Sequence, residues 1–191
     1  MKISDSLRSY VSIYKNFIPE DLRKDTLDNL KNAEWDIHAF YNPKTEQMAS
    51  NYYDLSVSRS NIYGKQEIQD SLWHAIHRYI FEDHKEINGW WAGWNGYTEL
   101  RFNKYDVGTS MDLHCDHIHS MFDGERKGVP ILTILAALND DYEGGDFVMW
   151  GDEVIDFPAG AVMVFPSNFL YPHQVKSITS GVRYSCVSWA W

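Results

Sequence analysis

The sequence predicts an α+β protein that is mainly β, with a jelly-roll core (a double-stranded β-helix) buttressed by N-terminal helices. Two observations predict it. From about residue 97 onwards, short segments rich in valine and aromatic residues alternate with glycine and proline, whereas earlier apolar residues recur at helical spacing. Many short strands with turn signals between them are typical of a sandwich or barrel rather than a parallel α/β sheet.

The predicted strands lie in the C-terminal half. Each is a short segment of β-branched, aromatic or other apolar residues, a composition that suits a pleated and partly buried surface. Turn residues such as Gly108, Gly151 and Pro158 separate them. The predicted strands are residues 97–105, 131–138, 147–150, 161–165 and 184–189.

Two helices are predicted before these strands. The first begins at Pro19, because proline is tolerated in a first helical turn and the acidic Glu20 and Asp21 suit the positive end of the helix dipole. Its buried side would be formed by Leu22, Leu27 and Leu30. The second helix has an apolar residue at every fourth position, namely Ile68, Leu72, Ile76 and Ile80. Residues 41–65 are polar and rich in turn residues, and predict a loop with one strand near residues 53–57.

Length and composition predict one globular domain. A chain of 191 residues suits a single domain with one core. Aromatic residues make up 15% of it, including 8 tryptophans, which argues against disorder. We therefore expect residues 1–96 to form a mixed helical support and residues 97–191 to form the jelly-roll core.

The net charge and the number of cysteines indicate which partners and which cellular compartment to expect. The formal net charge of −10 disfavours phosphate backbones, so no nucleic-acid partner is expected. The two cysteines, Cys115 and Cys186, do not suggest a disulfide framework and fit a reducing compartment. The N-terminus lacks an apolar signal-like segment, and no stretch reaches about 18 consecutive apolar residues. A soluble cytoplasmic protein with no membrane partner is expected.

The densest group of candidate metal ligands lies in residues 111–119. Side chains on a strand alternate between its faces, so His114 and Asp116 would point the same way and could chelate one metal ion. His117 and His119 would face away if the strand continued. The alternative for such a pair, taken alone, is a histidine-rich exposed strand end.

A third ligand and an anion-binding residue follow later in the chain. His173 comes just after a predicted apolar strand, and two histidines with one carboxylate are the ligands of non-haem Fe(II) oxygenases. Arg183 opens the last strand, where burial of its cation requires an anion, and its planar fork matches a carboxylate. Together these residues describe a site for a metal and a chelating 2-oxo acid.

The order His114-x-Asp116, His173, Arg183 resembles the prolyl 4-hydroxylase-like branch of the Fe(II)/2-oxoglutarate dioxygenases. The resemblance covers residues 97–191. It is supported by four further segments, namely Tyr105-x-x-Gly108, residues 138–146 with Gly144-Gly145, Ala159-Gly160 before a strand, and Trp189 six residues beyond Arg183.

This resemblance implies an enzyme that hydroxylates a prolyl residue of a protein or peptide, or a related small molecule, while 2-oxoglutarate is decarboxylated to succinate. Iron would be bound by His114, Asp116 and His173, and 2-oxoglutarate by Arg183 and Tyr105, with Trp189 lining the pocket. Fe(II), 2-oxoglutarate and dioxygen are the implied cofactors and co-substrates, and ascorbate is a further candidate. The sequence does not specify an oligomeric state.

Two departures from the family leave the substrate open. Met111 and Ala137 stand where some relatives carry pocket tyrosines. The cluster Trp90, Trp91 and Trp94 could stack on a substrate ring or close one end of the barrel.

The alternative function is a metal-binding barrel without oxygenase activity, either a cupin-like sensor or a zinc hydrolase. Arg183 and Tyr105 discriminate in part between these functions, because a zinc hydrolase has no need for a 2-oxo-acid anchor.

Overall fold

The computed structural model describes residues 5–42, 45–50, 53–86, 89, 93, 96–116 and 128–191. Within these residues there are three α-helices, and the third continues into a π-helical turn at Tyr79–Asp83. The helices are α1 (Asp5–Arg8), α2 (Glu20–Leu30) and α3 (Lys65–Arg78). Both helices predicted from the sequence are therefore present, although Ile80 of the second one lies in the π-helical turn.

The same residues contain fifteen short strands. The first five precede α3 and are β1 (Ser12–Tyr14), β2 (Asp36–Ile37), β3 (Phe40–Asn42), β4 (Gln47–Ala49) and β5 (Ser56–Ser58). The next five are β6 (Arg101–Tyr105), β7 (Met111–His114), β8 (Leu132–Ala137), β9 (Glu143–Gly144) and β10 (Phe147–Met149). The last five are β11 (Glu153–Val154), β12 (Val162–Pro166), β13 (His173–Val175), β14 (Ile178–Ser180) and β15 (Arg183–Ala190).

Two sheets form the core. The large sheet has seven strands in the order β1-β12-β8-β15-β6-β5-β2, and the small sheet has four in the order β11-β10-β13-β7. All of their described pairings are antiparallel. Two further two-stranded pairs are β14-β9 and β3-β4. The protein is thus mostly β with few helices, as predicted.

Alternation along the strands of the large sheet divides the apolar residues into two clusters. On one face, Ile134 and Val162 pack with residues of α2 and α3 such as Leu30, Ile68 and Leu72. On the other face, residues of the large sheet meet the small sheet, among them Leu135, Met163, Val175 and Phe147. Because successive side chains of a strand point to opposite faces, one strand serves both clusters. The candidate site lies on the second face.

The residues before position 97 do more than the predicted helical support. They add β1, β2 and β5 to the large sheet, and Ser12, Ile13 and Tyr14 pair with β12. The predicted loop 41–65 contains β5 and part of the β3-β4 hairpin, so expecting a single strand there was incomplete. These strands have two or three residues each, which is too short for periodicity to identify them. The division into one domain stays a prediction.

Within the described part of the chain, no helix combines the length and the apolar character needed to cross a bilayer. Both cysteines are free thiols: Cys186 is buried, and Cys115 is partly buried.

Candidate active site

The predicted ligands His114, Asp116 and His173 come together at the end of the small sheet. β7 and β13 are antiparallel neighbours, and their register pairs His114 directly with His173. The imidazole Nε2 atoms of His114 and His173 lie 3.8 Å and 3.9 Å from Oδ1 of Asp116. One ligand atom from each residue falls within 4.8 Å of the others, a spacing that can hold one metal ion.

Asp116 reaches this cluster from outside the strand. β7 ends at His114, so alternation along a strand, the reason given for grouping the two residues, does not extend to Asp116. The chain after His114 nevertheless brings the carboxylate beside both imidazoles. His117 and His119 lie outside the described residues.

Backbone carbonyls hold the two imidazoles in one orientation. Nδ1 of His114 lies 2.7 Å from the carbonyl oxygen of Asp112, and Nδ1 of His173 lies 3.1 Å from that of Tyr171. Because a carbonyl can only accept, each Nδ1 carries the proton and donates it. In the neutral ring Nε2 is then the nitrogen without a proton, and in both residues Nε2 is directed towards Asp116, which is the arrangement of metal-binding histidines.

The Asp116 carboxylate is held from its other oxygen. The hydroxyl of Thr133 donates to Oδ2 of Asp116 at 2.5 Å, and Thr133 Oγ1 lies 2.7 Å from Ser167 Oγ. Oδ1 therefore remains on the side of the two histidines. Thr133 was not among the predicted site residues, since nothing in its sequence position marks it as a partner of Asp116.

The electrostatic environment favours the ligating forms. Burial, with a smaller effect from the neighbouring His173, lowers the pKa of His114 to about 4, so its imidazole is neutral at pH 7. Burial alone would raise the pKa of Asp116, but His173, His114 and the Thr133 hydroxyl outweigh it and the net pKa is lowered. The neutral imidazole of His114 and the ionised carboxylate of Asp116 are the forms that bind a divalent metal.

A cavity beside these ligands is lined by alternate residues of the large sheet. On β15 the lining residues are Arg183, Ser185, Val187 and Trp189, and on β6 they are Arg101, Asn103 and Tyr105. The intervening residues Tyr184 and Cys186 pack on the opposite, helix-covered face. The period of two along a strand accounts for the whole lining on these two strands.

Arg183 is a buried cation at one end of this cavity. The residue is only 3% exposed to solvent. Its Nη1 donates a hydrogen bond to the Ser185 hydroxyl at 3.2 Å. Its Cζ lies 5.0 Å from the centroid of the Tyr105 ring. Arg183 and Tyr105 are register partners across β15 and β6. Among the described residues no carboxylate lies within ion-pair distance of Arg183. A buried guanidinium in this state favours an anionic ligand.

Tyr105 and Trp189 also line the cavity. Burial raises the pKa of Tyr105 against the opposing effect of Arg183, so the hydroxyl stays protonated and can donate to an anion. The Trp189 indole Nε1 is buried and has no hydrogen-bond acceptor of good geometry, although it lies near enough to Asp116 to help lower the pKa of that carboxyl.

The sequence interpretation missed a second arginine in the cavity. Arg101 has Cζ 4.9 Å from the Trp189 ring centroid, and its Nε donates to Asn103 Oδ1 at 3.0 Å. Burial lowers the pKa of Arg101 to about 10, which leaves it a cation at neutral pH. The sequence could have predicted this position. Arg101 lies four residues before Tyr105, and residues an even number apart on a strand point to the same face.

The residues that depart from the family have different positions. Met111 lines the cavity and pairs with Val175, whereas Ala137 is buried in β8 opposite Ser185. Burial raises the pKa of Cys115, so this thiol is protonated at neutral pH. The tryptophan cluster Trp90, Trp91 and Trp94 lies outside the described residues.

Comparison with known proteins gives a match over the site half of the chain. Residues 100–191 match the model of the 2OG-Fe(II) oxygenase superfamily. A PKHD-type hydroxylase of Stenotrophomonas maltophilia (strain R551-3) is 33% identical over 98 residues, which cover 49% of this chain and 43% of the relative. One of Thermosynechococcus vestitus is 38% identical over 96 residues, covering 47% and 41%. These matches span less than half the length of the relatives.

Solved structures share the fold. A prolyl hydroxylase from Trichoplax adhaerens, in complex with a hypoxia inducible factor oxygen degradation domain peptide fragment, superposes with a TM-score of 0.68 at 16% identity, covering 96% of this chain and 84% of that one. A Pseudomonas putida prolyl-4-hydroxylase gives 0.60 at 18% identity, covering 95% and 91%. The jelly-roll core and the resemblance predicted from the sequence are both confirmed.

Proposed function

We propose, from the premise that residues 100–191 belong to the 2OG-Fe(II) oxygenase superfamily, that this protein is an Fe(II)- and 2-oxoglutarate-dependent hydroxylase. The observation that carries the proposal is Arg183, a buried guanidinium without a carboxylate among the described residues, in the same cavity as the cluster of His114, Asp116 and His173. A metal site and an anion site at this spacing suit a chelating 2-oxo acid.

The donor set fits iron. Two imidazole Nε2 atoms and one carboxylate oxygen converge from one side, and such a triad leaves coordination positions open for a co-substrate. Bound there, Fe(II) and 2-oxoglutarate supply the hydroxylation chemistry, in which one oxygen atom of dioxygen enters the substrate and the other enters succinate, with release of carbon dioxide.

The surrounding side chains bind and orient the reactants. Arg183 would pair bidentately with the carboxylate of 2-oxoglutarate that is remote from the metal, and the Tyr105 hydroxyl would donate a further hydrogen bond to it. Thr133 would keep Oδ1 of Asp116 directed at the metal. Apolar residues of the lining, such as Leu135 and Val187, exclude water from the reacting groups.

The substrate we propose is a prolyl residue in a protein or peptide, or a related small molecule. The names of the relatives support this class, since they are PKHD-type hydroxylases and prolyl hydroxylases, and one of the solved structures holds a peptide. Ascorbate as a reductant, the cytoplasmic location and the action of residues 1–191 as one domain remain predictions.

The alternative is a zinc hydrolase or a metal-binding sensor. Two histidines and one carboxylate also bind Zn²⁺ in hydrolases. Arg183 favours the oxygenase, because a hydrolase that uses zinc-bound water has no role for a buried guanidinium at the far end of the metal cavity.

The test is succinate formation from 2-oxoglutarate by the Fe(II)-loaded protein, with and without proline-containing peptides and free proline. We expect turnover that requires iron and is lost in Asp116→Ala. His74→Ala, which alters an exposed histidine on α3, is the matched control and should keep it. Absence of 2-oxoglutarate consumption by the wild-type protein, or consumption that survives Asp116→Ala, contradicts the proposal.

A further inference from the structure

Arg101 provides the candidate site with a second cation that the metal and 2-oxoglutarate do not need. It lines the same cavity as Arg183, its guanidinium lies over the Trp189 ring, and its one described side-chain hydrogen bond is to neutral Asn103. Among the described residues, no carboxylate lies within ion-pair distance of Arg101. A partly buried arginine stacked on an aromatic ring, with its fork unpaired, is prepared for an anion.

Neighbouring polar groups also lack partners. The Trp189 indole Nε1 is buried, can only donate, and has no acceptor of good hydrogen-bond geometry, although Asp116 lies near enough for the indole to help lower the pKa of that carboxyl. His38 is 6% exposed, and its Nδ1 is likewise buried without a hydrogen-bond partner, while its electrostatic neighbours are Arg101, His114 and the exposed Arg59. Buried polar atoms without partners are rare in folded proteins, so a cluster of them beside a cation indicates a ligand.

The backbone positions of the two arginines are separated along the large sheet, since Arg183 pairs with Tyr105 and Arg101 pairs with Val187. Tyr105, under the Arg183 guanidinium, and Arg101 are four residues apart on β6, which separates their Cα atoms by about 13 Å. The four carbon–carbon bonds of 2-oxoglutarate, at about 1.5 Å each, span at most about 6 Å. 2-Oxoglutarate is thus shorter than the backbone separation, although Arg101 is also an electrostatic neighbour of Tyr105, and competition between the two ligands tests whether one co-substrate molecule reaches both arginines.

The metal ligands lie at the Arg101 end. Trp189 pairs in register with Thr133, and the Thr133 hydroxyl holds Asp116. An anion bound by Arg101 and the Trp189 indole would thus lie beside the metal ligands. That is where the substrate carbon has to be presented for hydroxylation.

We propose that Arg101 and the indole N–H of Trp189 bind a carboxylate of the substrate, so that the hydroxylated molecule carries a carboxylate close to the oxidised carbon. A single guanidinium fork with one further donor matches the two coplanar oxygens of a carboxylate. A free amino acid, or a peptide with a carboxylate next to the target residue, provides this group. The proposal rests on the proposed hydroxylase function and specifies its substrate class.

The test uses the indole N–H resonances of the eight tryptophans in the Zn(II)-substituted protein saturated with 2-oxoglutarate. Trp189 is assigned by the loss of its signal in Trp189→Phe. The probes are N-acetylglycinate and its neutral amide, which differ in the carboxylate alone. We expect N-acetylglycinate to shift the Trp189 signal saturably and the amide to leave it in place.

Variants then identify the cation. Arg101→Met should abolish the shift of the Trp189 signal but keep the binding of Zn(II) and 2-oxoglutarate. Arg101→Lys should retain a weaker shift. The matched control Arg78→Met changes an exposed arginine of α3 and should respond as the wild type does. No saturable shift, an equal shift with the amide, or a shift that persists in Arg101→Met overturns the proposal.

A third arm separates this site from the co-substrate site. This arm starts from the Zn(II) protein without 2-oxoglutarate. If added 2-oxoglutarate then displaces N-acetylglycinate, or if Arg101→Met loses 2-oxoglutarate binding, Arg101 belongs to the co-substrate site and the proposal is wrong. If the protein binds N-acetylglycinate through Arg101 but does not bind 2-oxoglutarate, the anion site is supported and the hydroxylase function is the part that fails.

Discussion

His114 and His173 are register partners in neighbouring antiparallel strands, β7 and β13, and their ring centroids lie 4.4 Å apart. Strand pairing thus brings together two histidines that are far apart in the sequence. The proton on each Nδ1 is directed to a backbone carbonyl, so the geometry of both rings is fixed by the main chain. The predictions below follow from this arrangement and from the charges around it.

Replacing Arg183 should separate co-substrate binding from metal binding. We expect Arg183→Met to weaken 2-oxoglutarate by about 100-fold, the usual order when one partner of a buried ion pair is removed. Metal affinity should stay unchanged. The ligand-free protein should keep its stability, because the substitution removes a buried cation that has no carboxylate partner among the described residues. Calorimetric titration measures the affinity, with Arg78→Met as the control; unchanged binding in Arg183→Met would refute the assignment.

Thr133 should act on the metal through Asp116. Thr133→Val keeps the shape of the side chain but removes the hydroxyl that donates to Oδ2 of Asp116. Metal affinity should fall by about 10-fold, the lower range for loss of a partner that orients a ligand. Competition with a metal chelator gives the measurement. Thr109→Val, which removes a turn hydroxyl outside the cavity lining, should have no such effect.

A side chain at Gly144, in β9, should destabilise the protein more than a side chain at Gly151. Gly144 and Gly151 both have positive φ, +74° and +93°, but a Cβ at Gly144 would collide with the Ser177 carbonyl oxygen, whereas a Cβ at Gly151 would meet nothing within 4 Å. Gly151→Ala should cost about 1 kcal/mol, and Gly144→Ala about 2 kcal/mol more because backbone has to move. Denaturant unfolding compares the two; equal losses would show that the collision is relieved without cost.

Stability without metal should fall in mild acid. Burial lowers the pKa of His38 to about 4 from an ordinary value of 6.5, so the unfolded chain takes up the proton first as the pH falls. The stabilisation present above pH 6.5 is then lost between pH 6.5 and 4, by about 2 kcal/mol at pH 5.

The variant His38→Gln should show a pH dependence smaller by that amount in urea unfolding at pH 7 and pH 5. His74→Gln, at an exposed position, is the control and should follow the wild type. A wild-type protein whose stability does not change over this range, or a His38→Gln protein with the same dependence, would contradict the role given to His38.

The grouping of His114, Asp116 and His173 could be predicted from the sequence, because these residue types are informative by themselves and occur in a recognisable order with Arg183. The reason given for Asp116 was wrong in part, since β7 ends at His114 and only the three-dimensional path of the chain brings the carboxylate back. The pairing of β13 with β7 could not be predicted either, because register depends on contacts between distant segments.

Arg101 and β1 illustrate the two kinds of omission. The position of Arg101 could have been predicted from the sequence, since alternation along β6 places Arg101 and Tyr105 on the same face. β1 was not, because three residues carry no periodic signal and its existence depends on pairing with β12.

The central claim is that the cluster of His114, Asp116 and His173 binds Fe(II) together with 2-oxoglutarate. It is tested most directly by adding Fe(II) and 2-oxoglutarate to the protein without oxygen and recording the visible charge-transfer band. The band should require both additions, be present in wild type and be absent from His173→Ala. No band in the wild-type protein, or an unchanged band in His173→Ala, would contradict the claim.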